Sequence, residues 1–152
     1  MFQFKILNSR EKKKFLERIA ETYGIKQLSL DYVFLQTGKG RVYITNRDIE
    51  RVSLGKIRIN SLGLYFAMQD KIGLRLSVEG SQLIGKQATK NILTLTQQQA
   101  NEWFSGHDIK IESELKGFVL VKHKNDFLGC GNISNSILHN YLGKERRIKI
   151  KE

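Results

Sequence analysis

The chain has 152 residues, 40% of them hydrophobic, which is enough for one ordinary domain or two small ones with a packed core. Lysine and arginine number 26 against 15 acidic residues, so the formal charge is +11 and a polyanionic partner such as nucleic acid is favoured. No apolar run approaches the roughly 18 residues that a spanning helix needs, and a membrane partner is not expected because the sequence shows no basic amphipathic helix with a broad apolar face.

The first predicted element is a helix that begins after Asn8. Asn8 can cap it, and Glu11 stands three residues on, where a capping box requires an acid or amide. Gly24 is expected to end the helix. Apolar residues recur at helical spacing on one face: Phe15, Leu16, Ile19, Ala20 and Tyr23.

Strands follow this helix. The runs YVFLQ and RVYIT, joined by residues 37–40, predict a β-hairpin. The run KIRINSLGLYFAMQ predicts one or two further strands, with Gly63 at a bulge or a close backbone approach. The first half is therefore expected to be α+β.

The second half is mostly strand, in the runs LRLSV, NILTLT, GFVLVKH and FLGCGNI. Its one clear helix runs from the cap Thr96 to Phe104. Many short strands with glycine turns and one helix are typical of a small, partly closed β-barrel. We expect an α+β domain over residues 1–71, packed on a β-barrel over residues 72–152.

The run Gly80–Gln87, GSQLIGKQ, matches a phosphate-binding loop except at its last position. That loop requires Ser or Thr after the lysine to hold magnesium, so nucleotide hydrolysis is not expected. A basic glycine loop that brings backbone N–H groups and Lys86 to an RNA phosphate is the preferred interpretation. A plain surface turn is the alternative.

No catalytic or metal-binding constellation is visible. Cys130 has no second cysteine at a metal-ligand spacing and is expected to be buried in a β-turn region. His107, His123 and His139 match no zinc spacing, and no paired carboxylates suggest acid–base chemistry. We therefore expect no cofactor and no metal. A single cysteine favours a reducing, cytoplasmic location.

The aromatic residues divide into two groups. Trp103 and Phe104, at the end of the second helix, are expected to be core anchors. Tyr43, Tyr65 and Tyr141 remain open between core packing and base stacking, and Tyr141 lies beside the basic C-terminal residues.

The run KGFVLVKHKNDFLGCGNISNSILHNYLGKERRI resembles the PUA-like RNA-binding domain that closes Sun/Fmu-type RNA cytosine-5 methyltransferases. In that family a Gly-Phe/Trp-Val-Leu-Val strand precedes a Leu-Gly-x-Gly turn and an Asn-Tyr-Leu-Pro-Lys-x-x-Arg ending. Here these lie at residues 117–121, 128–131 and 140–147, with Gly143 in place of the proline. The resemblance covers roughly residues 71–150 and implies binding to structured RNA.

The capped helix, the hairpin and the run Ser61–Gly63 resemble the pre-PUA domain of Nip-type ribosome biogenesis proteins, which a PUA domain also follows. Catalysis does not carry over from the methyltransferase resemblance. Within 152 residues there is no room for an S-adenosylmethionine-binding domain as well, and a chain without proline lacks that family's Pro-Cys pair.

The leading hypothesis is a non-catalytic RNA-binding protein that acts on structured ribosomal or transfer RNA during RNA modification or ribosome biogenesis. A modifying enzyme or pre-ribosomal particle is a further expected partner. The alternative is a protein-interaction adaptor that docks on an RNA-modifying enzyme or a ribosomal protein, which an apolar strip around Tyr32, Phe34 and Tyr65 would favour. The predicted RNA-binding residues are Lys86, Lys90, Asn140, Tyr141, Lys144, Arg146, Arg147 and Lys149.

The C-terminal residues have the densest positive charge, with five lysines and arginines in residues 144–152. The alternation in RRIKIK predicts a strand over residues 147–151 that closes the barrel. Its isoleucines, Ile148 and Ile150, would face the core, and its cations would face outward beside Lys86. A frayed, solvated tail is the alternative.

Overall fold

A computed structural model describes residues 4–46 and 63–148. None of the helices in these two stretches is long and apolar enough to cross a membrane. Within residues 4–46 and 63–148, the short 3₁₀ helices Gly85–Gln87 and Lys144–Arg146 accompany the main elements. Those elements are β1 Phe4–Ile6, α1 Ser9–Tyr23, β2 Val33–Thr37, β3 Arg41–Thr45, β4 Leu64–Gln69, β5 Leu74–Leu76, α2 Val78–Ile84, β6 Ile92–Thr94, α3 Gln97–Phe104, β7 Ile109–Lys110, β8 Gly117–His123, β9 Asp126–Ser134 and β10 Ile137–Asn140.

Helix α1 has the predicted ends. The backbone N–H of Glu11 donates to Asn8 Oδ1 at 2.9 Å, and the Glu11 carboxylate accepts from the Asn8 N–H, so the capping box is complete. Gly24 ends the helix in the left-handed region at φ 64°. The predicted apolar face is turned inward, with Ala20 partly buried and the others buried.

The first sheet is an antiparallel meander in which β1 to β5 lie in chain order. Strands β2 and β3 form the predicted hairpin, with Leu35 opposite Tyr43. Gly63, at φ 136°, lies against the backbone carbonyl of Ile44, which confirms the predicted close approach. Residues 56–62 of the next predicted strand lie outside the described residues.

The second sheet has the order β6-β8-β9-β10-β7 and forms a curled half-barrel. Strand β6 pairs in parallel with β8, and the other pairs are antiparallel. Helix α3, capped by Thr96 as predicted, connects β6 to the edge strand β7. The α+β class is confirmed.

The two sheets share a hydrophobic core. One buried cluster joins α1 and the first sheet to Leu120, Phe127 and Cys130 of the second sheet. A second cluster surrounds Trp103 beneath α3. The predicted boundary at residues 71–72 falls in the turn between β4 and β5, and the division into two subdomains stays a prediction.

The predicted basic loop at Gly80–Gln87 is wrong, because these residues are helical. Ser77 caps α2 by accepting from the Gly80 N–H at 2.9 Å. Gly80 lies against the backbone carbonyl of Phe66, and Gly85 lies under the Phe127 ring. These glycines allow α2 to pack closely against its neighbours and do not form a turn. Local sequence signals cannot distinguish these two uses of glycine.

Two further expectations are corrected. Cys130 is buried, as expected, but within strand β9 rather than in a turn. Ile148 is 59% exposed and so does not face the core. The 3₁₀ helix Lys144–Arg146 turns the chain toward α3, where the Ile148 N–H donates to Phe104 O at 2.7 Å. Arg147 and Ile148 belong to no strand, and residues 149–151 of the predicted closing strand lie outside the described residues.

Candidate nucleic-acid interface

A groove between α2, the β8–β9 turn and the C-terminal segment brings together two predicted RNA-binding residues, Lys86 and Arg146. We call it the Lys86 groove. It has a volume of about 610 Å³ and contains one acid, Asp126. Its lining also includes Gln82, Phe104 and Phe127. Arg146 therefore lines the same groove as Lys86, whereas Arg147, one of the cations predicted to lie beside Lys86, does not line it.

The 3₁₀ helix after Gly143 carries Lys144 and Arg146, both exposed. Arg146 forms an ion pair with Glu79 on α2 through its guanidinium. This pair ties the C-terminal segment to α2, and it also neutralises part of the charge that Arg146 would offer to a phosphate.

The remaining predicted cations have different positions. Arg147 Nε donates to Leu142 O at 3.0 Å, and its side chain packs on Gly106. Lys90 lies at the C-terminal end of α1, where its N–H donates to Tyr23 O and its side chain packs on Gly24. Lys149 lies outside the described residues. Lys90 is therefore placed with α1, apart from the residues of the Lys86 groove.

The side-chain amide of Asn140 is engaged in internal hydrogen bonds. Its Nδ2 donates to the carbonyls of Trp103 at 2.8 Å and His107 at 3.1 Å, and its Oδ1 accepts from the Leu142 N–H. The Asn140 N–H in turn donates to Asp108 Oδ1 at 2.9 Å, and this bond is the main reason that the pKa of Asp108 is lowered. Asn140 thus holds the chain just before Tyr141 in place.

A second cleft, of about 420 Å³, lies where the outer face of the first sheet meets the C-terminal segment. We call it the tyrosine cleft. Adjacent strands β3, β4 and β5 contribute Arg41, Tyr65 and Arg75. Tyr141 and Trp103 complete these walls from the second sheet's side.

Arginine and tyrosine side chains stack around this cleft. The Arg75 guanidinium lies 4.2 Å from the ring centroid of Tyr141, and that of Arg41 lies 5.8 Å from the ring centroid of Tyr65. The rings of Tyr43 and Tyr65 are 5.6 Å apart. Burial raises the pKa of Tyr65, and the positive charge of Arg75 offsets only part of that effect, so the phenol is neutral.

Sequence reasoning missed Arg41 and Arg75. The signal was strand alternation, since Arg41 stands beside buried Val42 and Arg75 stands between buried Leu74 and Leu76. An arginine between two inward-facing residues must point to the outer face of the sheet.

The other aromatic residues resolve as follows. Trp103 is 1% exposed, which confirms it as a core anchor, and Phe104 packs partly buried against the same cluster. The apolar strip that would favour a protein adaptor does not form. Phe34 is buried in the core with Tyr32 packed against it, whereas Tyr65 lines the cleft on the other face of the sheet.

Cys130 lacks the chemistry of a nucleophile. Burial raises the pKa of its thiol, and the sulfur lies 3.6 Å from the Tyr23 hydroxyl, whose pKa burial also raises. Both groups are therefore protonated at neutral pH. Within the described residues no group of three or more His, Cys, Asp or Glu side chains is arranged to hold a metal ion.

Comparison with known proteins finds a family model that matches the second half of the chain. Residues 90–148 match the family model described as the methyltransferase RsmF PUA domain. Over 145 residues, the chain is 24% identical to ribosomal RNA small subunit methyltransferase F of Vibrio cholerae and 28% identical to that of Photobacterium profundum. The same protein from Aeromonas salmonicida is 32% identical over 92 residues, 60% of this chain and 19% of that protein.

The two longer alignments cover 95% of this chain but only 30% of each relative. The chain thus spans less than a third of the length of these relatives, and its first half aligns with the same proteins as its second. The resemblance of the first half to Nip-type proteins stays a prediction. Residues 90–148, which begin just after the α2 region and end in the basic C-terminal segment, thus match the PUA domain of RsmF-type methyltransferases, and this match confirms the resemblance predicted for the second half.

Proposed function

We propose that this protein is a non-catalytic RNA-binding module that holds structured RNA through the Lys86 groove. The observation that carries the proposal is the convergence of Lys86 and Arg146 on one groove at the edge of the region that matches a PUA domain, with exposed Lys144 in the adjoining turn. Flexible cations on a firm surface bind the regularly spaced phosphates of a duplex without reading its sequence.

The RNA is ribosomal or transfer RNA, and the setting is RNA modification or ribosome biogenesis in the cytoplasm. The names of the relatives, ribosomal RNA small subunit methyltransferases, support ribosomal RNA first. Partnership with an RNA-modifying enzyme or a pre-ribosomal particle belongs to the same proposal. The protein alone neither transfers methyl groups nor hydrolyses nucleotides, and it works as two packed subdomains divided near residue 72.

The test is a salt titration of RNA affinity. Lys86→Ala combined with Lys144→Ala removes two exposed lysines, neither of which lines the tyrosine cleft. Each duplex phosphate contact contributes about 0.9 to the slope of log K against log salt, so the double variant should flatten the slope by about two units. Small-subunit ribosomal RNA and bulk transfer RNA serve as probes, with filter binding between low and physiological salt.

The matched control replaces Lys14 and Lys26 by alanine, which removes the same charge from exposed positions outside both clefts. It should change the slope far less. Equal slopes for the double variant and the wild type would contradict the assignment of the Lys86 groove, and no affinity for either RNA would contradict the function.

A further inference from the structure

The tyrosine cleft has a composition different from that of a phosphate-binding groove. Three guanidiniums, of Arg41, Arg75 and Arg146, face two carboxylates, of Glu79 and Glu145, so its net charge is small. Its walls are instead aromatic, from Tyr65, Tyr141 and Trp103. A volume of about 420 Å³ lies within the roughly 300–1,000 Å³ typical of small-ligand sites.

Tyr141 is the accessible ring of this cleft. It is 41% exposed. Arg75 stacks on it and the ring centroid of Phe118 lies 6.2 Å from its own, so neighbouring side chains support its orientation. A flat ring and a flat guanidinium both stack on nucleobases, and this stacking accepts any base because every base has a π-face. The pair is therefore ready to hold a planar heterocycle.

Trp103 adds a directional donor. The side chain is 1% exposed and lines the cleft, yet its Nε1 has no acceptor among residues 4–46 and 63–148. A buried indole N–H normally finds a hydrogen-bond partner. Nucleobases have carbonyl oxygens and ring nitrogens at their edges that accept such a bond, whereas a phosphate cannot also stack on Tyr141.

We propose that the tyrosine cleft binds one unpaired nucleotide of an RNA strand. The base stacks on Tyr141 and accepts a hydrogen bond from Trp103 Nε1, and the adjacent phosphates meet Arg41 and Arg75. This inference rests on the proposed RNA binding and adds a single-strand site beside the duplex-binding Lys86 groove. The two clefts share Val78, Leu142 and Arg146, so one RNA reaches both at a junction of duplex and single strand.

Trp103 provides its own readout because it is the only tryptophan in the chain. A five-nucleotide single-stranded oligoribonucleotide should change its fluorescence in a saturable way. Tyr141→Ala should weaken that binding roughly 5- to 150-fold, the effect of losing one base–aromatic stack. Tyr141→Phe should recover most of the lost affinity, because the ring stacks without its hydroxyl.

The salt dependence separates this site from the Lys86 groove. Tyr141→Ala should leave the slope of log K against log salt within one unit of the wild type, because stacking releases few counterions. The Lys86→Ala and Lys144→Ala double variant should bind the five-nucleotide strand nearly as well as the wild type.

Several outcomes would overturn the inference. An unchanged Trp103 fluorescence, with structured RNA still bound through Lys86, leaves the proposed function standing and removes the cleft from it. Equal affinity for adenosine monophosphate and the oligonucleotide makes the cleft a free-nucleotide site. A response to an acidic peptide in place of RNA makes it a protein site. If neither the strand nor structured RNA binds, both proposals fail.

Discussion

The Lys86 groove and the tyrosine cleft are neighbours built in opposite ways. The groove has Lys86 on a 3₁₀ turn, where the residue is exposed to solvent. The cleft contains Arg75 from the middle of the edge strand β5. This side chain is half-buried between Leu74 and Leu76 and stacks on Tyr141. A lysine ammonium on a flexible stem can pair with a phosphate in many positions, whereas ordered guanidiniums and rings bind only a ligand of matching shape. The same basic chain therefore contains one surface suited to duplex backbone and one suited to a single base.

The floor of the Lys86 groove gives the largest expected effect. Gly85 has helical φ of −55°, but a Cβ there would stand 2.5 Å from atoms of the Phe127 ring. Gly85→Ala should lower the free energy of unfolding by about 1–3 kcal/mol through overpacking. Urea denaturation measures it, and affinity for structured RNA should fall while Trp103 still responds to a single strand.

Gly38→Ala is the matched control, because nothing lies within 4 Å of a Cβ at Gly38. It should change stability by less than about 1 kcal/mol. If Gly85→Ala is equally harmless, Phe127 moves aside at little cost, and the groove floor is as adaptable as its lysines.

The support of the tyrosine cleft gives a smaller effect that depends on pH. Asp108 accepts hydrogen bonds from the Asn140 N–H and from His139 Nδ1, and Asn140 precedes Tyr141. Asp108→Ala should lower the free energy of unfolding by about 1 kcal/mol at pH 7, because solvent screens this exposed carboxylate. The stabilisation is present above the ordinary pKa of 3.8 and is lost as pH falls through the lowered pKa of the folded state.

Chemical denaturation at pH 7, 5 and 3 measures this difference, with Glu112→Ala as an exposed control that should have little effect at any pH. The gap between wild type and Asp108→Ala should narrow only at the lowest pH. A gap that is constant from pH 7 to 3 would show that the carboxylate charge plays no part in holding Asn140.

The smallest effect lies at the boundary between the two clefts. Glu79→Gln removes the ion-pair partner of Arg146, which then becomes available to phosphate. Affinity for structured RNA should rise about 3- to 10-fold at low salt, and the salt slope should steepen by about 0.9. Stability should change by at most about 1 kcal/mol, because the pair is partly exposed.

Glu114→Gln removes an equal charge from an exposed position that lines neither cleft, and it should raise affinity much less. Weaker RNA binding by Glu79→Gln would mean that the ion pair holds the C-terminal segment in its binding position rather than restraining Arg146.

The elements that sequence predicted correctly are those decided locally. The cap of α1 at Asn8, its end at Gly24 and the β2–β3 hairpin depend on residues within a few positions of each other. Helix α2 was missed because its glycines signal a turn locally. Its helical form depends on packing against Phe66 and Phe127, which are distant in sequence.

The candidate site divides in the same way. Charge density pointed to Lys144 and Arg146, and the structure brings Arg146 to Lys86. The sequence could not show that Glu79 pairs with Arg146, since 67 residues separate them. Ile148 fits a strand pattern, yet the 3₁₀ helix before it sets the direction of the chain. Strand alternation places Arg41 and Arg75 on the outer face of the sheet, but only the pairing of β3, β4 and β5 shows that both line one cleft.

The shared core has a consequence for the synthesis of the chain. Tyr23 on α1 lies against Cys130, a residue made 107 positions later. The apolar face of α1 also packs in the same cluster as Leu120 and Phe127, which are made later in the chain. Such non-local contacts fold slowly because a long loop must close before they form. Part of the apolar face of α1 is thus covered only once strand β9 has been made, whereas Phe15 packs on the earlier residues Phe34 and Phe66.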